Sequence, residues 1–182
     1  MPPVAEPAPL PVAQARAGDA EAWRVLFRRY QLPLYAYLYE LVRHEQTCLD
    51  LVQDTFIRAV RHISGLREDA KFGSWLFGIA HQQCLQHWRK SGREELLGDD
   101  LPDVVAEDDG PDEILIRSEQ AAAVRALLAR LPIPQRSVLV LYFLEDFSIE
   151  DIARVTGAPA GTVKSRLHHA KRALKKLVKE QP

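Results

Sequence analysis

The sequence has few cysteines and no long apolar segment. Its 182 residues include only two cysteines, Cys48 and Cys84, which is too few for a disulfide framework and favours reduced thiols in the cytoplasm. The longest uninterrupted apolar run, from Val138 to Leu144, is far too short to span a bilayer. The N-terminus also lacks the charged start and apolar stretch of a signal peptide. We therefore expect a cytoplasmic protein with no membrane partner.

Signatures of catalysis are lacking as well. The sequence contains no Gly-rich phosphate loop, nucleophile motif or paired-carboxylate arrangement. His81, Cys84 and His87 form H-x-x-C-x-x-H, which superficially suggests a metal site. On a helix, however, His87 would lie roughly 240° round from His81. We expect no enzyme activity, no cofactor and no bound metal.

Charge is unevenly distributed, although the net charge is −1. Residues 1–93 carry 12 basic and 9 acidic residues. Residues 94–119 carry 1 basic and 11 acidic residues, and residues 120–182 carry 11 basic and 5 acidic residues. This pattern predicts two basic bodies joined by an acidic connector. Residues 94–111 contain eight acids and no base, so we expect a disordered linker there. The proline-rich residues 1–13 are expected to form an extended tail.

Residues 14–93 show helical periodicity, and nothing in the chain predicts a strand, so the expected fold is all-α with two small helical domains. We expect one helix after Asp19, a second beginning at Pro33, a third beginning at a capping box of Thr47 and Asp50, and a fourth after a loop near Gly65. The residues expected to point inward from the third helix are Leu49, Val52, Phe56 and Val60.

Residues 112–182 end in a predicted helix-turn-helix. Ser148 and Asp151 form a capping box, which predicts a helix start at Ser148. Gly157 suits the left-handed turn that ends this helix, and Pro159 suits the first turn of the next. A short helix, a Gly-containing turn and a basic helix together are typical of proteins that place the second helix in the DNA major groove.

The final predicted helix, residues 161–179, has one apolar side and one basic side. From Ala160 to the C-terminus there are seven Lys or Arg residues and one acid. Ser165, His168 and Arg172 fall opposite the apolar stripe at about 100° per residue. The residues of the stripe are Val163, Leu167, Ala170, Leu174 and Leu177.

With both bodies laid out, the chain resembles a bacterial RNA polymerase sigma factor of the extracytoplasmic-function group. The resemblance covers nearly everything from Gly18 to Lys179. It is carried by DLVQDTFIRAV, FGSWLFGIA, LPIPQRSVLVLYFLEDFSIEDIA and GTVKSRLHHAKRAL, in this order and spacing. It implies a first domain, residues 14–93, that binds core RNA polymerase and the minus-10 promoter element. It implies a second domain, residues 112–182, that binds the minus-35 element. Relatives are commonly held inactive by an anti-sigma factor.

The resemblance also implies roles for individual residues. Asp50, Gln53 and Asp54 match the face that docks on the polymerase clamp helices, and they point away from the apolar set of their helix. Arg, Lys and Ser side chains can bond base edges or phosphates. The positions matching minus-35 recognition are Thr162, Lys164, Ser165, Arg166, His168, His169 and Arg172.

The fourth helix departs from the family pattern. Many relatives have an Asn near its middle that holds a base flipped out of the duplex, and Gln82 stands at the matching position. Its amide can also contact a base edge. The loop from Ser64 to Lys71 is the expected pocket for that base. The residues expected to contact the minus-10 element are Gln82, Gln83, Gln86, Arg89, Lys90 and Arg93.

A stand-alone helix-turn-helix regulator is the alternative interpretation. Such a protein binds DNA without polymerase, usually as a dimer. It explains the C-terminal body but gives no role to residues 50–60 or to the acidic connector.

Overall fold

The computed structural model describes residues 9–93, 98 and 121–179, and in the last range it describes side chains at 125–176. The expected linker, residues 94–111, lies outside the described residues apart from Gly98. All regular elements in the described ranges are helical, which confirms the all-α class. No helix within these ranges is long and apolar enough to cross a membrane. The helices are α1 Val12–Arg16, α2 Ala20–Val42, α3 Glu45–His62, α4 Phe72–Lys90, α5 Ala121–Leu128, α6 Ile133–Phe143, α7 Ile149–Thr156 and α8 Ala160–Lys179.

The expected extended tail, residues 1–13, was wrong for its last residues. An extended tail was expected through residue 13, but Val12 begins α1 and is buried together with Ala15. The Trp23 indole Nε1 donates a hydrogen bond to the Ala15 carbonyl at 2.9 Å. These contacts order a segment that is too short to be a stable helix alone.

Helix α2 runs through Pro33, where a new helix was expected to begin. Leu26 before the proline and Leu34 and Leu38 after it are all fully buried. The hydrogen bond that proline cannot donate is one loss, and the burial of a continuous apolar face outweighs it. At its N-terminus, Asp19 caps the helix by accepting from the N–H groups of Glu21 and Ala22, as predicted.

Helix α3 begins earlier than the expected Thr47–Asp50 box. Its N-cap is His44, whose Nδ1 accepts from the Thr47 N–H at 3.2 Å. Leu49 and Val60 were expected to point inward, but they are 47% and 52% exposed. The inward face is instead made by Cys48, Leu51, Val52, Thr55, Phe56 and Ala59.

The C-terminal helices form the predicted helix-turn-helix. The Ser148 hydroxyl accepts from the Asp151 N–H at 3.1 Å, which confirms the cap of α7. Gly157 has φ +70°, in the left-handed region where glycine is favoured, and it ends the helix. Val163, Leu167, Ala170 and Leu174 are buried as the apolar stripe predicts.

The two halves pack against each other through α2, α4, α6 and α7. The Phe77 and Phe147 rings meet edge to face with centroids 5.2 Å apart. Lys71 Nζ lies 3.1 Å from Asp151 Oδ1, and Arg136 Nη1 donates to the Glu40 carbonyl at 2.8 Å. Burial of aromatic surface and the hydrogen bond from Arg136 to the Glu40 carbonyl both stabilise this contact.

Candidate polymerase and nucleic-acid interfaces

The outer face of α3 carries the three residues matched to polymerase docking. Asp50, Gln53 and Asp54 are all exposed. Beside Gln53 an apolar groove of about 570 Å³ runs between α2 and α3. Exposed apolar side chains grouped beside polar ones suit a protein interaction site. The apolar residues that line it are Phe27, Leu32, Tyr35, Leu49, Val52, Phe56, Ile57 and Val60.

This groove was not predicted from the sequence. Leu49 and Val60 were assigned to the core because apolar residues at helical spacing are more often buried. The available signal was the spacing of Leu49, Gln53 and Val60 at i, i+4 and i+11, which places all three on one side of α3.

Five of the six expected minus-10 residues lie on the surface, four of them on α4 and Arg93 just after its end. Gln82, Gln86, Arg89, Lys90 and Arg93 are exposed, and the Arg93 guanidinium lies over the Trp88 ring at 5.8 Å. These cations and amides can bond phosphates and base edges.

Gln83 is a correction. Its side chain is buried, and its Nε2 donates to the Thr55 hydroxyl at 2.9 Å. Gln83 therefore joins α4 to α3 in the core and is not available to DNA. Adjacent helical positions differ by about 100°, so Gln82 and Gln83 face different surroundings.

A cavity of about 580 Å³ lies at the expected base pocket. One wall is the loop between α3 and α4, which contains short 3-10 turns at Ile63–Gly65 and Asp69–Lys71. Trp75 and Gln82 of α4 supply an aromatic face and an amide, the groups that stack on a base and bond its edge. Arg154 and Val155 of α7 form the opposite wall.

The basic face of α8 is only partly accessible. Lys164 and Arg172 are exposed, whereas Thr162, Arg166, His168 and His169 are half-buried. His169 Nε2 is a buried atom with no hydrogen-bond partner among the described residues. Ser165 was expected at the centre of the outward face, but it is only 8% exposed. The side of α8 opposite its apolar stripe is therefore covered around Ser165 in this conformation and open at Arg172.

The turn of the helix-turn-helix lies against α4. A Cβ added at Gly157, in the turn of the helix-turn-helix, would meet Gln82 Nε2 at 3.9 Å. Burial of His81 on α4, with the nearby Arg166 guanidinium of α8, lowers the pKa of its imidazole to about 4. Where α7 and its turn cover α4, DNA cannot reach that helix.

His81 and Cys84, the residues of the H-x-x-C-x-x-H pattern, belong to the core. His81 Nδ1 shares a hydrogen bond of 2.7 Å with the Tyr37 hydroxyl. Burial raises the pKa of the Cys84 thiol to about 12. A thiol that stays protonated is a poor metal ligand, because the thiolate is the form that binds.

Comparisons with known proteins find matches to both halves of the chain. The sequence profile of Sigma-70 region 2 matches residues 26–94, and that of Sigma-70, region 4 matches residues 121–174. RNA polymerase sigma-H factor of Pseudomonas aeruginosa is 32% identical over 178 residues, covering 91% of this chain and 90% of the relative. ECF RNA polymerase sigma factor SigM of Mycobacterium tuberculosis is 34% identical over 162 residues, covering 89% of this chain and 80% of the relative.

Two solved structures resemble the whole chain. CnrH, in complex with the cytosolic domain of CnrY, has a TM-score of 0.68 and 25% identity, covering 94% of this chain and 96% of that one. The sigma factor RpoE of Bartonella quintana, in complex with the anti-sigma factor NepR, has a TM-score of 0.68 and 27% identity, covering 90% and 100%.

Proposed function

This chain belongs to the extracytoplasmic-function group of RNA polymerase sigma factors, and on that basis we propose which of its surfaces bind polymerase and which bind the promoter. It is an alternative sigma factor that acts in transcription initiation. We place its action in the cytoplasm, with polymerase and promoter DNA. We place no catalytic step in this chain, so bond formation belongs to the polymerase.

The exposed face of α3 is proposed as the polymerase docking surface. Asp50, Gln53 and Asp54 stand on its polar side, and the α2–α3 groove supplies apolar area beside them. Charged groups at the rim orient a partner, whereas apolar anchors at the centre supply most of the affinity. The single observation that carries this proposal is an exposed apolar groove lined in part by Gln53, one of the three residues matched to docking.

The promoter surfaces are proposed on α4 and α8. Residues 14–93 would bind the minus-10 element through Gln82, Gln86 and the cations at 89, 90 and 93, with the flipped base against the loop and α4 walls of the cavity, which remain when α7 moves away. Residues 112–182 would bind the minus-35 element through the face of α8 that carries Lys164 and Arg172. Because α7 and its turn lie against α4 in the free chain, the two halves must separate before both elements are bound.

An anti-sigma factor is proposed as a further partner. The two structural relatives were each solved with a bound protein, and one of these is named as an anti-sigma factor. The exposed α2–α3 groove is the surface here that offers such a partner an apolar site.

The test is reconstitution with bacterial core RNA polymerase, followed by mapping of transcript start sites on genomic DNA. Addition of the chain should produce start sites that share two upstream elements. Gln53→Ala combined with Asp54→Arg should abolish binding to core polymerase while the helical circular dichroism stays unchanged, because both side chains are exposed. Unchanged core affinity in this variant would contradict the docking assignment. Tight, specific binding to duplex DNA without polymerase would favour the stand-alone regulator.

A further inference from the structure

The short helix α1 lies outside the residues that match Sigma-70 region 2, which begin at position 26. It is nevertheless firmly attached to that body. Val12 and Ala15 are buried, and the Ala15 carbonyl accepts a hydrogen bond from the Trp23 indole at 2.9 Å. The last residue of α1 is therefore held in a fixed place relative to α2 and to the loop that follows α3.

That last residue, Arg16, bonds the α3–α4 loop at two points. Its Nη2 donates to the Leu66 carbonyl at 3.2 Å and to Asp69 Oδ1 at 2.5 Å. Because both acceptors bond the same nitrogen, the Leu66 carbonyl and the Asp69 carboxylate are held close to each other, and the positive charge of the guanidinium strengthens both bonds. The segment between these two contacts is Arg67 and Glu68.

Arg67 and Glu68 both line the cavity assigned to the flipped base. The turns on either side are closed by the Leu66 N–H to the Ile63 carbonyl and by the Lys71 N–H to the Glu68 carbonyl. Within the described parts of the chain, the N–H groups of Arg67 and Glu68 have no backbone partner. The wall of the pocket therefore depends on contacts from outside the loop.

We propose that Arg16 is a positioning residue for minus-10 recognition, in which α1 holds the Leu66–Asp69 segment from behind and so sets the shape of the base pocket. This inference rests on the proposed function, because it takes the cavity to be the pocket for the flipped base. Arg16 does not contact DNA in this role. Its loss weakens the preference of the pocket for one base, since a displaced wall no longer distinguishes one base from another.

The test uses holoenzyme assembled from the full chain and core polymerase on promoters substituted at each minus-10 and minus-35 position. Arg16→Ala should lower the initiation ratio between the preferred base and other bases in the minus-10 element by roughly fivefold or more. Ratios at the minus-35 element should not change. Arg16→Lys keeps the charge but its side chain reaches less far and has a different shape, so it should give an intermediate loss.

Arg24→Ala is the matched control. Arg24 is exposed on the neighbouring helix α2 and pairs with Glu21, so its substitution removes the same charge without touching the loop. It should leave the minus-10 ratios at the parent value. An equal effect of Arg24→Ala and Arg16→Ala would show that only charge matters and would overturn the proposal.

Two further outcomes separate this inference from the proposed function. In the first, Glu68→Ala or Gln82→Ala changes minus-10 discrimination, but Arg16→Ala either lowers initiation equally on all promoters or has no effect. The positioning role of Arg16 is then wrong, whereas the pocket assignment holds. If none of the three variants alters minus-10 discrimination, the pocket assignment fails and the role of Arg16 fails with it.

Discussion

The Tyr37 hydroxyl of α2 and Nδ1 of His81 of α4 lie 2.7 Å apart in the core and share a hydrogen bond. Helices from both halves of the chain surround this pair. Ser137 of α6 is a side-chain hydrogen-bond partner of Tyr37. Arg166 of α8 is near enough for its charge to add to burial in lowering the pKa of His81. Burial raises the pKa of Tyr37, and Cys84, on the same helix as His81, contributes to raising it. The pair is thus enclosed where the two halves meet.

This enclosure predicts sensitivity to acid. Burial, followed by the charge of Arg166, lowers the pKa of His81 from 6.5 to about 4 in the folded chain. The unfolded chain therefore binds the proton more tightly, and the free energy of unfolding should fall as the pH drops from about 6.5 to about 4. The loss across this window should be on the order of 3 kcal/mol. Urea unfolding at several pH values measures it.

His81→Leu should remove this part of the pH dependence, whatever it does to stability at neutral pH. His62→Gln, which removes an imidazole from the exposed end of α3, is the matched control and should keep the parent slope. A His81→Leu variant with the parent slope would show that another group is responsible.

Gln83 and Gln82 should behave differently when each is changed to alanine. Gln83→Ala removes a buried hydrogen bond to Thr55 and should lower the free energy of unfolding by about 1–3 kcal/mol. Gln82→Ala changes an exposed residue and should alter stability by less than about 0.5 kcal/mol, while changing minus-10 base preference. Chemical denaturation and transcription from substituted promoters measure the two effects. Equal stability losses would contradict the assignment of Gln83 to the core.

The features predicted correctly from the sequence are mostly local ones. The cap at Ser148, the left-handed turn at Gly157 and the apolar stripe of α8 each depend on residues within a few positions of one another. Such signals are contained in a short stretch of sequence, so tertiary packing did not alter them.

The features that were missed depend on contacts between distant segments. Pro33 predicts a helix start locally, but Leu34 and Leu38 pack into the same core as Leu26 and keep α2 continuous. Gln83 is buried because it hydrogen-bonds Thr55 on another helix. Ser165 is buried because the rest of the chain covers a side of α8 that helical periodicity predicts to be polar and exposed. Helical spacing alone does not show which polar residue finds a partner in the core.

The α2–α3 groove predicts a further effect on polymerase binding. Leu49→Asp places a charge among the apolar residues of the groove and should weaken core polymerase binding by roughly tenfold or more, since an uncompensated charge in an interface centre is costly. Leu144→Asp is the matched control, because Leu144 is a leucine of similar exposure away from the groove. Competition for labelled core polymerase measures both affinities. Equal losses for the two variants would remove the groove from the docking surface.

The contact between α4 and α7 predicts a dependence on side-chain size at Gly78. A Cβ added there would lie 3.8 Å from Val155 Cα and 3.9 Å from the Arg154 carbonyl, which is ordinary van der Waals contact. Gly78→Ala should therefore keep the halves closed, whereas Gly78→Leu has no room for its further carbons and should separate them. Small-angle X-ray scattering should show a larger radius of gyration for Gly78→Leu and the parent value for Gly78→Ala.

The matched control is Gly161→Leu, since a Cβ at Gly161 on α8 meets nothing within 4 Å among the described residues. It adds the same side chain to a helix and should leave the radius of gyration unchanged. In Gly78→Leu, the exposed face of α4 around Gln82 should also become more accessible to hydroxyl-radical labelling, because the turn at Gly157 moves away from it. A Gly78→Leu chain as compact as the parent, with unchanged labelling of α4, would show that α7 does not cover the minus-10 surface in solution.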